Sequence, residues 1–121
     1  MEPFNESPDK IQSIRQEICD FWKGEEFDDV LRFPGAQPVS IEMKDLNIIK
    51  SNDYMCCVKY DGERYFMVLR KIDGENYTFL VNRNTTFFRI ENCFGEYAYK
   101  KGCIFDGELI QSGAQQHFVI H

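Results

Sequence analysis

From residue 54 onward the chain consists of short apolar, aromatic and β-branched runs separated by turn dipeptides, and this pattern constrains the fold most strongly. Such runs favour strands over helices. Asp61-Gly62 and Asp73-Gly74 stand where tight hairpin turns would join the first three runs into an antiparallel meander. The predicted strands cover residues 54–59, 64–71, 76–82, 86–91, 102–110 and 117–120.

A different periodicity precedes these runs. Between residues 8 and 23, isoleucines and a phenylalanine recur at spacings of three and four, which predicts an amphipathic helix. Ser7 suits the N-cap of this helix and Pro8 its first position. The predicted fold class is therefore α+β, with an N-terminal helix packed on a mostly antiparallel sheet.

Length and charge limit the classes of function. The 121 residues fit one domain, and 43% hydrophobic residues suffice for a core. The net charge of -6 means that any contact with a nucleic acid must be local. No apolar stretch is long enough to span a bilayer, and the N-terminus lacks the features of a signal peptide. We expect a soluble intracellular protein without a membrane partner.

The cysteines do not indicate a metal site. There are five of them with no C-x-x-C pair, and both histidines lie near the end of the chain. Cys56 and Cys57 are neighbours in an apolar run. We predict buried, reduced thiols rather than a zinc site.

The run Lys59-Tyr-Asp-Gly-Glu-Arg64 places an amine and a guanidinium on either side of an Asp-Gly pair. One interpretation is an ordinary hairpin turn with solvated charges. The other is a nucleophilic lysine, because a nearby cation favours the neutral amine that attack requires. Attack on the α-phosphate of a nucleoside triphosphate would give a phosphoramidate and pyrophosphate, and a divalent metal is expected to offset the charge.

A second Asp-Gly pair lies in Phe105-Asp-Gly-Glu-Leu109. Glu108 is a candidate to hold the metal, its water or a ribose hydroxyl, because magnesium prefers hard oxygen ligands. The alternative is again a turn, with Asp106 and Glu108 as exposed carboxylates.

These two runs resemble motifs I and III of the covalent nucleotidyltransferase superfamily, which comprises mRNA capping enzymes and the ATP-dependent DNA and RNA ligases. Residues 33–40 are similar to the segment before motif I in cellular mRNA guanylyltransferases, and residues 79–84 and 87–90 to the stretch between the motifs. The resemblance covers about residues 11 to 121 and favours the capping family.

The resemblance implies a reaction in two steps. Lys59 would attack GTP to form a lysyl-GMP intermediate, and GMP would pass to the 5′-diphosphate end of an RNA. Arg64 would contact the GMP ribose or phosphate, Arg83 would assist at the nucleotide, and Glu108 would bind the nucleotide and the metal, Mg²⁺ or Mn²⁺. His121, a predicted nucleotide-binding residue, falls where motif IIIa usually has Tyr or Phe, followed by Asp, and an imidazole would stack on guanine less extensively.

The resemblance also implies further partners and a location. An RNA triphosphatase and RNA polymerase II are the expected partners of a capping enzyme, and the nucleus is its expected site, or the cytoplasm for a viral protein. Residues 1–121 would form a single, truncated guanylyltransferase-like nucleotidyltransferase domain without motifs IV and V or the OB-fold, because the chain ends in an apolar run of strand type.

We therefore expect weak activity from this short chain alone. Two alternatives stay open. One is a non-catalytic remnant that acts as an interaction module through an exposed strand edge. The other is a ligase-type adenylyltransferase.

Overall fold

The fold is an N-terminal helix and a five-stranded antiparallel sheet, as the sequence predicts. A computed structural model describes residues 1–23 and 39–121. The helices are α1 (Pro8–Lys23), α2 (Leu46–Ser51), which follows a 3₁₀ turn at Met43–Asp45, and α3 (Glu96–Lys101). The strands are β1 (Glu63–Ile72), β2 (Glu75–Val81), β3 (Phe87–Ile90), β4 (Cys103–Ser112) and β5 (Gln115–Ile120).

Helix α1 begins and ends at the predicted residues. The Lys10 amide donates to Ser7 Oγ at 3.4 Å and the Ile11 amide to the Ser7 carbonyl at 3.0 Å, so Ser7 satisfies two donors of the first turn. Ile18, on the apolar face of the helix, is 0% exposed. Burying a side chain of this size contributes about 2 kcal/mol, so α1 is held mainly by packing.

The sheet has the order β3-β2-β1-β4-β5, and every neighbouring pair is antiparallel. Each strand follows its predicted run with ends shifted by up to two residues. β1 is central, with β2 on one side and β4 on the other. The sheet therefore brings the beginning of β1, the end of β2 and the middle of β4 to one region.

Both faces of the sheet are covered, because successive side chains of a strand point to opposite faces. Helix α1 covers one face and α3 the other. The core against α1 consists of Ile14, Ile18, Phe66, Val68, Ile72, Tyr77, Phe79, Val81 and Phe87. The core on the α3 face consists of Tyr65, Met67, Leu69, Leu80 and Tyr99.

The prediction of a strand over residues 54–59 is wrong, as is that of a hairpin at Asp61-Gly62. Residues 53–60 have no regular secondary structure and are exposed; Met55 is 98% and Val58 71% exposed. β-Propensity depends on pairing with neighbours, and both edges of β1 are already occupied by β2 and β4. An apolar run without an available partner strand therefore does not pair here.

The prediction of buried cysteines is correct only in part. All five cysteines are free; Cys19 is buried and Cys103 half-buried, whereas Cys56, Cys57 and Cys93 are exposed. Cys56 and Cys57 are exposed because their run is not a strand of the sheet. No helix in the described ranges is long and apolar enough to cross a membrane. Most of the capping-like segment at residues 33–40 lies outside the described residues.

Candidate active site

An open depression of about 620 Å³ lies where β1 begins, and it collects most of the predicted site residues. Lys59, Arg64, Arg83 and Glu108 all line it, although 49 residues separate the first from the last. Lys59 comes from the extended segment before β1, Arg64 from β1, Arg83 from the β2–β3 loop and Glu108 from β4. The remaining described lining residues are Gly62, Glu63, Tyr65, Asn82 and Asn84.

Lys59 is exposed and stands four residues before β1. Its segment runs past β4 at Gly62, where an added Cβ would lie 2.5 Å from the Leu109 carbonyl oxygen. Glycine is therefore required here for close approach of two backbones, rather than for a turn. This close approach holds the lysine segment against the strand that carries Glu108.

The second Asp-Gly pair has the same function. The pair lies in the middle of β4, so the prediction of a turn with exposed carboxylates is wrong. A Cβ at Gly107 would lie less than 3.0 Å from both the Val119 carbonyl oxygen and the Phe118 ring. Gly107 thus lets β5 approach β4 closely. Asp106 and Glu108, two residues apart in one strand, share a face.

Arg64 joins the two Asp-Gly runs. Its Nε donates to Asp106 Oδ1 at 3.0 Å and a terminal nitrogen donates to Asp106 Oδ2 at 2.6 Å. This bidentate geometry is the one a guanidinium and a carboxylate form best. The hydrogen bond to Asp106 and its charge, working against desolvation, raise the pKa of Arg64 above its ordinary value. Asp106 was absent from the predicted site. The register pairs Arg64 with Glu108, and Asp106 lies two residues before Glu108 on the same face of β4, within reach of Arg64.

Glu108 is well placed to receive a ligand. Its side chain is 17% exposed, and its Oε2 is buried without a hydrogen-bond partner among the described residues. Its Oε1 lies 3.7 Å from Nε2 of His121. A buried carboxylate oxygen normally has a donor or a cation beside it. A hydroxyl donor or a metal ion would satisfy Oε2.

His121 lies outside the described lining of the depression. Its amide donates to the Asp106 carbonyl at 2.9 Å, which extends the β4–β5 ladder to the last residue. The structure therefore places His121 next to Glu108 but outside the described lining of the depression.

Tyr65 contributes a hydroxyl that sequence reasoning missed. It donates to Glu63 Oε2 at 2.9 Å, and both residues line the depression. Burial, and then the hydrogen bond to Glu63, raise the pKa of Tyr65. The phenol thus stays protonated, and it orients Glu63 at the rim.

Charge distinguishes this depression from its neighbour. A second depression of about 430 Å³ is lined by Asp61, Gly62, Glu63, Leu109, Gln111 and Gln116, with no Lys or Arg among its described lining residues. The first contains Lys59, Arg64 and Arg83 in a chain of net charge -6. Of these two depressions, the first is therefore the one that matches a polyphosphate.

The residues of the depression can supply one carboxylate ligand to a divalent metal. No group of three His, Cys, Asp or Glu residues that could hold a metal exists in the described ranges. Mg²⁺ is often held by one or two carboxylates together with substrate phosphates. Glu108, with its unpaired Oε2, supplies one such carboxylate.

The family model and the individual relatives that match this chain all belong to one family. Residues 2–119 match the family model described as "mRNA capping enzyme, catalytic domain". The chain is 38% identical over 85 residues to the mRNA-capping enzyme of Danio rerio, and the aligned region covers 64% of this chain and 13% of the relative. It is 38% identical over 88 residues to the mRNA-capping enzyme subunit alpha of Neurospora crassa, covering 64% of this chain and 21% of the relative.

A third relative agrees with these two. The mRNA-capping enzyme subunit alpha of Saccharomyces cerevisiae is 32% identical over 92 residues, covering 64% of this chain and 20% of the relative. The chain thus spans a small part of the length of these curated relatives. Because the family model matches nearly every residue, the chain belongs to the mRNA capping enzyme catalytic domain family.

Proposed function

We propose that this chain carries the GMP-accepting lysine of an mRNA guanylyltransferase. The observation that supports this most directly is the convergence of Lys59, Arg83 and Glu108 on one depression from three separate stretches of sequence. A nucleophile, a phosphate-binding cation and a carboxylate with an unpaired oxygen are the groups that lysyl-nucleotide chemistry requires.

In the first step the neutral Lys59 amine attacks the α-phosphorus of GTP. A P–N bond forms, the bond between the α-phosphorus and the bridging oxygen of the β-phosphate breaks, and pyrophosphate leaves while the amine loses a proton. Arg83, at the rim, binds phosphate oxygens. Glu108 Oε2 accepts from a ribose hydroxyl or holds the metal ion. Mg²⁺ or Mn²⁺, when bound, offsets charge on the phosphoryl and leaving oxygens.

In the second step a terminal oxygen of a 5′-diphosphate RNA attacks the phosphorus of lysyl-GMP. The P–N bond breaks, the GMP is transferred to the RNA end, and the amine regains its proton. The depression is open enough for a second substrate to reach Lys59, which is exposed. An RNA triphosphatase that supplies the diphosphate end, RNA polymerase II and a nuclear location are the proposed context.

Arg64 is assigned a structural role beside its predicted contact with the GMP ribose or phosphate, which stays a prediction. Asp106 occupies two of its donors, in a bidentate pair that ties β1 to β4. Arg64 thus contributes to the geometry of the depression that it lines.

The test is covalent labelling. The full chain is incubated with α-³²P-GTP and Mg²⁺ or Mn²⁺, denatured in SDS and separated by electrophoresis. We expect label from GTP that is lost in Lys59→Ala and kept in Lys50→Ala, a matched change of an exposed lysine in α2. Label from ATP instead would indicate a ligase-type adenylyltransferase. Absence of label with either nucleotide would contradict the proposal for this chain.

A second candidate is an interaction module. Two observations favour it: the outer edge of β5 has no partner strand among the described residues, and large apolar side chains in residues 39–58 are exposed. An exposed strand edge can pair with another chain. This candidate predicts concentration-dependent association, by sedimentation, that Ile120→Pro weakens, because the Ile120 amide faces away from β4, with labelling absent.

A further inference from the structure

The loop between β2 and β3, residues 82–86, carries Arg83 to the depression, and one side chain organises it. Asn82 Oδ1 accepts from the amide of Asn84 at 3.0 Å and from the amide of Thr86 at 2.9 Å. Both of these amides follow Arg83 in the chain, so the side chain just before Arg83 holds the backbone just after it. Asx side chains hold local backbone in this way.

Backbone hydrogen bonds close the same loop. The Asn82 amide donates to the Thr86 carbonyl at 3.2 Å, and the Thr85 amide donates to the Asn82 carbonyl at 2.9 Å. Thr85 has a φ of 59°, in the left-handed region that a β-branched residue rarely adopts. Such a conformation persists only where the surroundings impose it. The two bonds to Asn82 Oδ1 are on either side of Thr85 and contribute to imposing it.

Helix α1 supports the loop from outside the depression. A terminal nitrogen of Arg15 donates to the Thr85 carbonyl at 3.3 Å, and its guanidinium lies 5.3 Å from the centre of the Phe87 ring. The loop is therefore fixed at its base by Asn82 and at its outer side by Arg15. Arg83 is the cation that this arrangement presents to the depression.

We infer that Asn82 is a positioning residue for Arg83 at the nucleotide. Without the Oδ1 acceptor, the amides of Asn84 and Thr86 lose their partner and the left-handed conformation of Thr85 relaxes. Arg83 then samples orientations away from the α-phosphate position. This inference rests on the proposed function, in which Arg83 binds nucleotide phosphate.

The chain offers a matched control. Asn92 also makes two side-chain hydrogen bonds: it donates to the Asn76 carbonyl at 3.0 Å and accepts from Thr78 Oγ1 at 2.9 Å. It is outside the described lining of the depression. Asn92→Ala should therefore lower stability without changing the GTP concentration that gives half-maximal labelling. Asn82→Asp keeps an oxygen that accepts both amides, so it should keep the hydrogen bonds of the loop.

The first measurement is the GTP concentration that gives half-maximal labelling. Asn82→Ala should raise it about tenfold, the effect of losing one productive hydrogen bond. Arg83→Ala should raise it at least as much, and Asn82→Ala should add nothing in the Arg83→Ala background. Additive effects would mean that Asn82 contacts the nucleotide itself, which would overturn the positioning role.

The second measurement does not require turnover. In ¹⁵N-labelled protein, Asn82→Ala should shift or broaden the Arg83 Nε–H resonance and speed amide exchange at Asn84 and Thr86. Asn92→Ala should leave these signals unchanged, and Asn82→Asp should keep the slow amide exchange at Asn84 and Thr86. Unchanged signals in Asn82→Ala would overturn the inference. If the wild type forms no label, the proposed function fails for this chain and the Arg83 resonance still decides the role of Asn82.

Discussion

The two ends of β1 carry the same dipeptide for opposite physical reasons. After the strand, Asp73 and Gly74 have φ values of 50° and 79° and form the tight turn to β2. Before the strand, Asp61-Gly62 forms no hairpin, and Gly62 instead lies against the backbone of β4. The ends are about 30 Å apart. One glycine supplies a backbone conformation, whereas the other leaves room for a neighbouring strand.

This difference distinguishes the turn at Gly74 from the candidate site at Gly62 and Gly107. At Gly74 an added Cβ would meet nothing within 4 Å, so only the φ value excludes side chains. At Gly62 and Gly107 an added Cβ would collide with backbone oxygens. These collisions mark where the lysine segment and β5 approach β4. Asp-Gly alone does not distinguish the two cases, since both need glycine.

The largest expected effect is at Gly107, where β4 and β5 approach closely. Gly107→Ala should lower the free energy of unfolding by about 3 kcal/mol, because the Cβ would lie less than 3.0 Å from the Val119 carbonyl oxygen and the Phe118 ring. Urea unfolding measures this, and labelling should fall as β5 moves away. A loss as small as that of Gly74→Ala would show that the strand pair adjusts easily and that the comparison is wrong.

The next effect concerns the ion pair that joins the two site runs. Asp106→Ala should cost about 2 kcal/mol, because it leaves the half-buried Arg64 guanidinium without its bidentate acceptor. A double-mutant cycle with Arg64→Gln in urea should give a coupling energy of about 1 kcal/mol. Additive effects of the two changes would mean that the pair does not tie β1 to β4.

A smaller effect is expected at the turn. Gly74→Ala should cost about 1 kcal/mol, the penalty of a left-handed conformation for a residue with a Cβ. Gly74→Asn should recover most of it, since asparagine tolerates this conformation. Labelling should be unchanged in both variants. Equal losses for alanine and asparagine would point to a steric cause that the open space around Gly74 does not offer.

The smallest effect is on the pH dependence of stability near the turn. The hydrogen bond from Arg89 lowers the pKa of Glu75, and Lys71 lowers that of Glu96. A carboxyl with a lowered pKa in the folded state stabilises the protein above its ordinary value of 4.5, and this contribution is lost as pH falls through the folded-state pKa.

Glu75→Gln and Glu96→Gln should therefore reduce the slope of stability against pH below about 5. Urea unfolding from pH 3 to pH 7 measures the slope. An unchanged slope in the double variant would show that these exposed pairs contribute nothing. Arg64, whose pKa is raised by the hydrogen bond to Asp106, should stay charged throughout this range.

Much of the fold could be predicted because it follows from local periodicity. Helix α1 begins and ends where the spacing of its apolar residues predicts, and five of the six predicted strands are present. The short helices α2 and α3 were missed. Six-residue helices are marginal alone, and α3 depends on burial of Tyr99 against the sheet and on the ion pair of Glu96 with Lys71. Neither contact is visible in local sequence.

The site was only partly predictable. The choice of Lys59, Arg83 and Glu108 came from the resemblance to motifs, and their roles stay predictions. Asp106 and Asn82 were missed, because their contributions depend on partners that register and loop geometry select. Alternation along the predicted strand over residues 102–110 could have placed Asp106 and Glu108 on one face.

By itself the sequence determined helix α1, the five strands of the sheet and the left-handed turn at Asp73-Gly74, since these depend on residues a few positions apart. Only the tertiary structure decided what each Asp-Gly pair does. A glycine required for space and one required for conformation are identical in sequence. They differ in whether another strand passes within van der Waals distance, and that is set by packing across the whole sheet.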